Sequence, residues 1–265
     1  MSPLPTLFMA HGAPDPPLLT GPTQDFLRSL FDVVPKPRAI VAVSAHWLTA
    51  RPTVSTAAQP RTIYDFGGFS RQLYELTYPA PGSPELAERV VAMLNGEGFE
   101  AHTSGDRGFD HGVWTPLILA DPEGTIPVVP LSLQPHESTL HHYQLGKALA
   151  PLRNEGVLIV ASGAATHNLG YFDGRYNAHP PAWAVAFDNW LAEAITQAGR
   201  SSTNATHDIT ALLDYRQRAP YAAQNHPTEE HLLPLFVALG AGGSGQQIHS
   251  GFTYGAFSMA AYRFD

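Results

Sequence analysis

The sequence predicts a single α/β domain in which helices flank a mostly parallel central sheet, with the functional site at the carboxyl ends of strands. Short runs rich in Val, Ile and Leu alternate with longer helical segments, which is typical of a parallel sheet. No change in composition marks a linker, and no internal repeat is visible. Three of the apolar runs end in small residues followed by a histidine. We therefore expect one domain, spanning residues 1–265, with its polar chemistry at strand ends.

Five apolar runs are predicted to be strands. Continuous apolar sequence is typical of strands that are buried on both faces of a parallel sheet. The last run is the weakest prediction, because it is less apolar than the others. In chain order the predicted strands are Thr6–Ala10, Ala39–Ser44, Ile126–Leu133, Val157–Ser162 and Ser258–Phe264.

Four longer segments between these runs are predicted to be helices. The first has Ser83 as an N-cap and Pro84 at the first helical position, both of which favour a helix start. The last has Thr228 as a possible cap and a glycine-rich end. The predicted helices cover residues 83–98, 140–156, 182–199 and 227–243.

Composition excludes several classes of function. The net charge is −8 and Lys and Arg do not cluster, so neither nucleic acid nor an anionic membrane is an expected partner. Because the chain has no Cys, disulfides and thiolate metal sites are excluded. No apolar run approaches the roughly 20 residues that a membrane-spanning helix needs, and the first residues do not resemble a signal peptide. We expect a cytoplasmic protein.

Histidine is the unusual residue, with 13 copies in 265 residues. His11, His46 and His167 each follow a predicted strand, with small residues next to them. Carboxyl ends of parallel strands meet at one edge of a sheet, where ligands bind. The three imidazoles are therefore predicted to gather there, leaving room for a metal or a substrate.

A fourth candidate lies near the start of the last predicted helix. His231 falls within one turn of that helix N-terminus, from which a side chain can reach a cleft at the strand ends. The adjacent Glu229 and Glu230 and the nearby His226 leave the choice of ligand open by spacing alone. The two acidic residues could equally serve only to favour the helix N-terminus.

Other candidates are weaker. His111, in "DRGFDHGVWTPL", could orient a substrate oxygen or could lie in a simple turn. The loop "YDFGGF" (64–69) could line a pocket for a flat substrate or could be a turn of packed rings. The remaining histidines are predicted to be solvated: His102, His136, His141, His142, His179, His207 and His249.

A site made of neutral imidazoles suits zinc, iron, copper or nickel. Three protein ligands with open positions indicate catalysis, because a closed site has no place for substrate. Zinc there would generate hydroxide for hydrolysis, whereas Fe(II) could take O2 and a chelating substrate together. Iron sites of this kind usually combine two histidines with one carboxylate. Here the third ligand is expected to be His231, unless Glu229 or Glu230 takes that position.

Eight motifs in order, from His11 to about Ala241, resemble the class III extradiol dioxygenase family. The group that they resemble most is the 4,5-DOPA extradiol dioxygenase-like proteins. Eight ordered motifs over nearly the whole chain are a far more specific signal than any one of them. The motifs are "FMAHGAP", "VAVSAHW", "IYDFGGF", "YPAPGSPELA", "GFDHGVW", "VPLSL", "VASGAATHNL" and "HPTEEHLLPLFVALGA".

This resemblance implies a single α/β domain that binds one metal ion, Fe(II) for activity or Zn(II) as the bound metal. It implies that His11, His46 and His231 are metal ligands. His167 matches the catalytic histidine and lies near enough to contact the metal as well. His111 matches a histidine that contacts substrate, and His226 is implied to help position it. The implied substrates are O2 and a catechol such as DOPA or caffeate.

Two other functions fit the same histidines. One is a zinc hydrolase that acts on an amide or ester. The other is a binding protein that retains a metal without catalysis, since a fold does not fix a function. Only the dioxygenase consumes O2, and zinc could not assist its electron transfer because zinc is not redox active.

Overall fold

The structure is a computed structural model that describes residues 2–200 and 209–265. Eight of its strands form one sheet in the order β4-β3-β5-β2-β6-β1-β10-β7, and β8 pairs with β9 alone. The strands are β1 (Thr6–Ala10), β2 (Ala39–Leu48), β3 (Thr53–Ser55), β4 (His102–Ser104), β5 (Val128–Leu133), β6 (Val157–Gly163), β7 (Gly245–His249), β8 (Phe252–Thr253), β9 (Phe257–Ser258) and β10 (Ala261–Phe264).

The centre of the sheet is parallel, as predicted, and antiparallel pairs lie towards its edges. Strands β5, β2, β6 and β1 are parallel neighbours, whereas β10 runs antiparallel to both β1 and β7. The predicted last strand is wrong in detail, because it is divided between β9 and β10. Strand β2 also continues past the predicted end at Ser44, so that His46 lies within it.

Helices cover both faces of the sheet. They are α1 (Pro22–Arg28), α2 (Leu30–Val33), α3 (Pro84–Gly96), α4 (His111–Ala120), α5 (Thr139–Leu149), α6 (Ala182–Arg200), α7 (Thr210–Leu213), α8 (Tyr215–Arg218), α9 (Ala222–Asn225) and α10 (Leu233–Gly242). No helix in the described part of the chain combines the length and the apolar character needed to cross a bilayer.

The predicted helix starts are partly confirmed. The Ser83 side chain accepts a hydrogen bond from the backbone N–H of Leu86, so it caps α3 as expected. The last helix begins at Leu233 rather than at 227, and Thr228 does not cap it. Pro234 lies in its first turn, where the missing N–H costs nothing. His231 therefore precedes the helix instead of lying within it.

Successive residues of the central strands bury their side chains in two separate cores. On β2, Val41 and Val43 belong to the core beneath α5, α6 and α10. Ile40 and Ala42 belong to the core on the opposite face, which also holds Trp114 of α4. Strand side chains alternate between faces, so one apolar run supplies both layers. This double burial fixes the register that aligns the strand ends.

The prediction that seven histidines are solvated is wrong for His142, which is fully buried. Its Nδ1 donates to the Ser138 carbonyl at 2.9 Å, and its Nε2 accepts from the Gln134 backbone N–H at 3.3 Å. His102, His136 and His179 are exposed, and His141 and His249 are half-buried. His207 lies outside the described residues.

We expect His142 to make the metal-free protein less stable in mild acid. Burial lowers the pKa of His142 from 6.5 to about 4. Between these pH values the side chain is protonated in the unfolded chain and neutral in the folded chain. Stability therefore falls as the pH drops from about 6.5 towards 4. In the H142N variant, the amide side chain keeps a hydrogen-bond donor for Ser138 but cannot bind a proton. The free energy of unfolding of this variant should therefore decrease with falling pH less steeply than that of the wild type, by about 1.4 kcal/mol per pH unit.

Urea unfolding at several values between about pH 7 and pH 5 measures these slopes. The exposed His136, changed to Asn, is the matched control and should leave the slope of the wild type unaltered. Equal slopes for H142N and the wild type would contradict the prediction.

Candidate active site

The parallel centre of the sheet brings three predicted histidines to one edge. Strands β2, β6 and β1 are adjacent, with Ser44 opposite Ser162 and Ala10 opposite Gly163. His11 follows the last residue of β1, and His46 lies near the end of β2. His167 lies in the loop after β6, where its backbone N–H donates to the Asn225 carbonyl at 3.0 Å.

His231 reaches the same edge because its backbone is bound to the end of β6. Its carbonyl accepts a hydrogen bond from the Ala164 N–H at 2.8 Å. A Cβ atom on Gly163 would lie 2.1 Å from that carbonyl oxygen, so only glycine permits this approach. The helix that follows, α10, is buried against α5 and β6 and holds the segment in place.

Three imidazoles direct their Nε2 atoms at one another. His46 Nε2 lies 3.0 Å from His11 Nε2 and 3.3 Å from His231 Nε2. His11 and His231 are almost fully buried, and the His46 side chain is 22% exposed. The centre of this group therefore opens to the cavity on the side of His46.

An oxygen atom faces the Nδ1 of each of these three rings. His11 Nδ1 lies 2.9 Å from Ser162 Oγ, whose own hydrogen is donated to the Gly112 carbonyl. His231 Nδ1 lies 3.0 Å from Glu230 Oε1, and His46 Nδ1 lies 3.5 Å from Asp65 Oδ2.

These contacts determine the tautomers. The Ser162 hydroxyl can only accept from His11, because its hydrogen is already used, and carboxylate oxygens only accept. The protons of His11 and His231 are therefore expected on Nδ1. The Asp65 carboxylate, 3.5 Å from His46 Nδ1, favours the same tautomer of His46, which leaves a lone pair on each Nε2. Three lone pairs pointing at one place are the donor set of a metal site, and an acceptor behind each ring is its usual support.

Burial keeps these rings neutral. It is the main reason that the pKa values of His11 and His231 are held well below their ordinary range, and the neighbouring histidines lower them further. Burial, then the proximity of His111, lowers the pKa of His46 to about 3. A neutral imidazole is the form that binds a metal ion, so no proton competes for these sites near neutral pH.

Two further histidines contact the three imidazoles: His167 packs against His231, and His111 packs against His46. The His167 ring stacks on His231 with 3.4 Å between centroids, and burial lowers the pKa of His167 to about 4. His111 is the first residue of α4, so the interpretation that it lies in a simple turn is wrong. One of its ring nitrogens lies within 4.8 Å of ring nitrogens of His11 and His46.

Asp65 connects His111 with His46. Its Oδ1 accepts the backbone N–H of His111 at 2.9 Å and lies 3.0 Å from His111 Nδ1. Its Oδ2 faces His46, and contacts with the two histidines lower the pKa of Asp65 to about 2, against the opposing effect of burial. This carboxylate is therefore ionised and places a negative charge beside both rings.

The histidines line a cavity of about 500 Å³. Four aromatic side chains line it: Phe66, Phe69, Phe172 and Phe257. The "YDFGGF" loop thus lines the cavity, as one of its two interpretations predicted. A volume of this size fits a substituted single aromatic ring.

Two of the sequence candidates lie elsewhere. His226 is fully buried outside the cavity, where its Nε2 donates to the Ala165 carbonyl at 2.8 Å and so supports the loop that carries His167. The structure therefore gives His226 no access to a substrate. Glu229 accepts hydrogen bonds from Tyr215 and Arg216, whereas Glu230 lines the cavity beside His231.

Sequence reasoning missed the residues that orient the rings. Ser162 is the last residue of the predicted strand Val157–Ser162, and Asp65 lies in the loop 64–69, whose interpretation rests on its aromatic residues. The position of Ser162, five residues before His167 in the same motif, was the one available signal. Nothing in the spacing of Asp65 pointed to His46 or His111.

Comparisons with known proteins agree with this geometry. Residues 3–265 match the family described as the catalytic LigB subunit of aromatic ring-opening dioxygenase. A protein of Beta vulgaris named 4,5-DOPA dioxygenase extradiol is 42% identical, over 98% of this chain and 96% of its own length. A protein of the same name from Escherichia coli K12 is 38% identical, over 90% of this chain and 85% of its own length.

A solved structure has the same fold. The crystal structure of the uncharacterized protein JW3007 from Escherichia coli K12 aligns with a TM-score of 0.81 and 31% identity, over 99% of this chain and 100% of the other. Together the matches confirm the predicted extradiol dioxygenase, and they give no support to the hydrolase or the binding protein. The chain belongs to the family of the catalytic LigB subunit of aromatic ring-opening dioxygenases.

Proposed function

We propose that this enzyme uses Fe(II) to open the ring of a catechol with O2, beside one hydroxyl group. In this proposal His11, His46 and His231 hold the metal, His167 transfers protons, and His111 contacts the substrate. The observation that carries it is the convergence of three Nε2 lone pairs in a cavity with aromatic walls. An oxygen atom lies behind each ring, 2.9–3.5 Å from its Nδ1.

The donor set fits a catalytic metal ion. Three neutral imidazoles leave coordination positions open for ligands from solution. Two groups of side chains in the described residues could hold a metal ion, and both border this one cavity, so we propose one ion per chain. When bound, Fe(II) would supply the redox chemistry that lets O2 react with an aromatic ring.

Proton transfer is assigned to His167. A catechol must lose a proton before both of its oxygens can chelate, and a neutral imidazole can accept that proton. The lowered pKa of His167 means that its ring is neutral before substrate arrives. The protonated ring can then return the proton to an oxygen atom as the aromatic ring opens.

We assign the orientation of the substrate to His111 and to the aromatic side chains that line the cavity. The Asp65 carboxylate accepts the backbone N–H of His111 and lies 3.0 Å from its Nδ1, so it holds this residue beside the cavity. Phe66 meets the His111 ring edge-on with 5.7 Å between centroids, and Phe257 stacks on His167 at 5.6 Å. A flat substrate between these side chains would be held with its oxygens towards the histidines and would displace water from them.

We propose a catechol as the substrate class. The relatives from Beta vulgaris and Escherichia coli are named for DOPA. DOPA, caffeate and simpler catechols all share the two hydroxyl groups that the proposed site would chelate.

Oxygen uptake tests the proposal directly. Metal-free protein would be loaded anaerobically with Fe(II), then given O2 and a panel of catechols, with Zn(II)-loaded protein as the control. We expect uptake with iron and none with zinc, because zinc is not redox active. Protein that holds iron but consumes no O2 with any catechol would overturn the proposed function.

Removing the hydroxyl of Ser162 is expected to weaken metal binding. Without that acceptor the His11 proton is free to move to Nε2, which would occupy the lone pair used for the metal. We expect the S162A variant to bind Fe(II) or Zn(II) about 10–100-fold more weakly, the usual cost of losing such a partner. Chelator competition on metal-free protein measures this affinity.

The chain offers a matched control for that variant. Ser132 is also buried near the end of a parallel strand, but its hydroxyl contacts Thr49, Thr53 and Gln134 instead of a site histidine. We expect S132A to bind metal as the wild type does. Equal affinities for S162A and S132A would contradict the proposed tautomer of His11.

A further inference from the structure

We propose that Arg107, Asp110 and Ser44 form a positioning network that holds the backbone of His46 and so directs its imidazole at the metal. This inference rests on the proposed function, because it takes His46 as a metal ligand. It gives a role in metal binding to three residues that do not line the cavity.

His46 lies in an irregular part of β2. The regular pairing of β2 with β6 ends at Ser44, and the register of β2 with β5 shifts between Val43 and Leu48. Irregularities of this kind are common beside active sites, where they redirect a side chain and interrupt the ladder of backbone hydrogen bonds. The direction of the His46 ring therefore depends on other contacts that hold this stretch.

Side chains hold both backbone groups of His46. Its N–H donates to Ser44 Oγ at 3.2 Å, and its carbonyl accepts from Arg107 Nη2 at 3.2 Å. The two bonds fix the peptide groups on either side of the Cα atom. They therefore limit the directions in which the imidazole can point.

The other two proposed ligands are held differently. His11 donates its N–H to the Gly163 carbonyl at 3.1 Å, and the His231 carbonyl accepts from the Ala164 N–H at 2.8 Å. Both bonds join backbone groups at the end of β6, so they do not depend on a side chain. His46 is thus the proposed ligand whose backbone is held by side chains.

Asp110 links the two residues that hold His46. Its Oδ1 accepts from the Ser44 hydroxyl at 2.6 Å, and its Oδ2 accepts from Arg107 Nη2 at 2.5 Å. Because the Ser44 hydrogen is donated to Asp110, the Ser44 oxygen presents a lone pair to the His46 N–H. The same Arg107 nitrogen donates to Asp110 and to the His46 carbonyl. The carboxylate therefore orients both donors and acceptors that meet the His46 backbone.

The network is buried and closely packed. Asp110 and Ser44 are each 1% exposed, and the Arg107 guanidinium lies over the Trp47 ring, 5.1 Å from its centroid. A Cβ atom on Gly112 would lie 2.5 Å from Ser44 Oγ, so a glycine there leaves room for the hydroxyl. Desolvation offsets much of the attraction in a buried ion pair, which therefore adds little net stability. Positioning of His46 accounts better for its presence here.

The metal affinity of two variants tests this role. R107M removes the guanidinium but keeps a long apolar side chain beside Trp47, and S44A removes the hydroxyl. We expect each variant to bind Zn(II) or Co(II) about 10–100-fold more weakly than the wild type, the usual cost of losing a group that supports a ligand. Chelator competition on metal-free protein measures this affinity without catalysis.

The visible spectrum of bound Co(II) distinguishes a displaced ligand from a general loss of stability. The d–d bands of Co(II) depend on the number and geometry of its ligands. At saturating Co(II), we expect the bands of R107M and S44A to differ from those of the wild type, because a displaced His46 changes that geometry.

R153M and S132A are the matched controls. Arg153 donates to the backbone carbonyls of Leu4 and Ala241, and Ser132 Oγ accepts the Thr53 N–H at 2.9 Å. Each control thus loses a side chain that holds backbone groups other than those of the proposed ligands. Affinity and Co(II) spectrum should match the wild type in both controls, even if the free energy of unfolding falls.

The outcomes separate the two proposals. Wild-type affinity and an unchanged Co(II) spectrum in either folded variant, or equal losses in the controls, would overturn the positioning role and leave the ring-opening function standing. If circular dichroism shows that R107M does not fold, S44A decides the question. Iron-loaded wild type that consumes no O2 with any catechol would overturn the proposed function, whereas the affinities and spectra would still decide the positioning of His46.

Discussion

Replacing His46 by alanine is expected to abolish tight metal binding and, with it, catalysis. His46 occupies the middle of the proposed ligand set, since its Nε2 lies 3.0 Å from that of His11 and 3.3 Å from that of His231. Its removal leaves only His11 and His231 of the proposed three ligands. We expect affinity to fall by more than the roughly 10–100-fold that loss of a supporting partner costs.

Titration of metal-free H46A with Fe(II) or Zn(II) against a chelator measures this loss. His136 is exposed, so H136A is the matched control and should keep the wild-type affinity. Circular dichroism of both variants would verify that they are folded. Tight binding of one ion per chain by H46A would refute the proposed ligand set.

The second large effect is expected at His167, whose replacement by alanine should reduce activity without removing the metal ion. His167 stacks on His231 without supplying one of the three convergent Nε2 atoms, so H167A should retain one metal ion per chain. Its kcat/KM for O2 uptake is expected to fall about 10²–10⁴-fold, the usual contribution of a positioned acid or base. Metal analysis and O2 uptake on the same sample measure the two properties together.

Added imidazole distinguishes a lost proton-transfer group from a damaged site. The cavity would have room for imidazole where the H167A side chain is truncated, so imidazole should restore part of the activity. H167Q, which can form hydrogen bonds but cannot accept a proton at neutral pH, should remain inactive. Loss of the metal from H167A would instead make His167 a required ligand and would overturn its assigned role.

Much of the fold could be predicted because its signals are local. Val, Ile and Leu runs identified β1 without error and located the other central strands, since burial on both faces demands continuous apolar sequence. Ser83 and Pro84 marked the start of α3 through cap chemistry that acts within one turn. The short strands β3 and β4, at one end of the sheet, were missed because a run of three residues shows no periodicity.

Errors arose where distant contacts override local preference. Residues 227–232 look helical in sequence but form turns, because the His231 carbonyl is engaged by Ala164 instead of by a following helical turn. His142 looked like a solvated helical residue, yet contacts with Gln134 and Ser138 bury it. Both partners are near His142 in the chain, but the burial of its ring depends on how α5 packs against the rest of the fold, including α10.

The sequence by itself determined the parallel α/β fold, the edge of the sheet where chemistry occurs, and the histidines that meet there. Strand propensity and the shared direction of parallel strands are enough to place His11, His46 and His167 at one edge. Only the tertiary structure decided that Glu230 borders the cavity and Glu229 does not, that His226 is buried away from it, and which oxygen faces each Nδ1. Those facts depend on side-chain directions and distances between residues far apart in the chain, which no local pattern encodes.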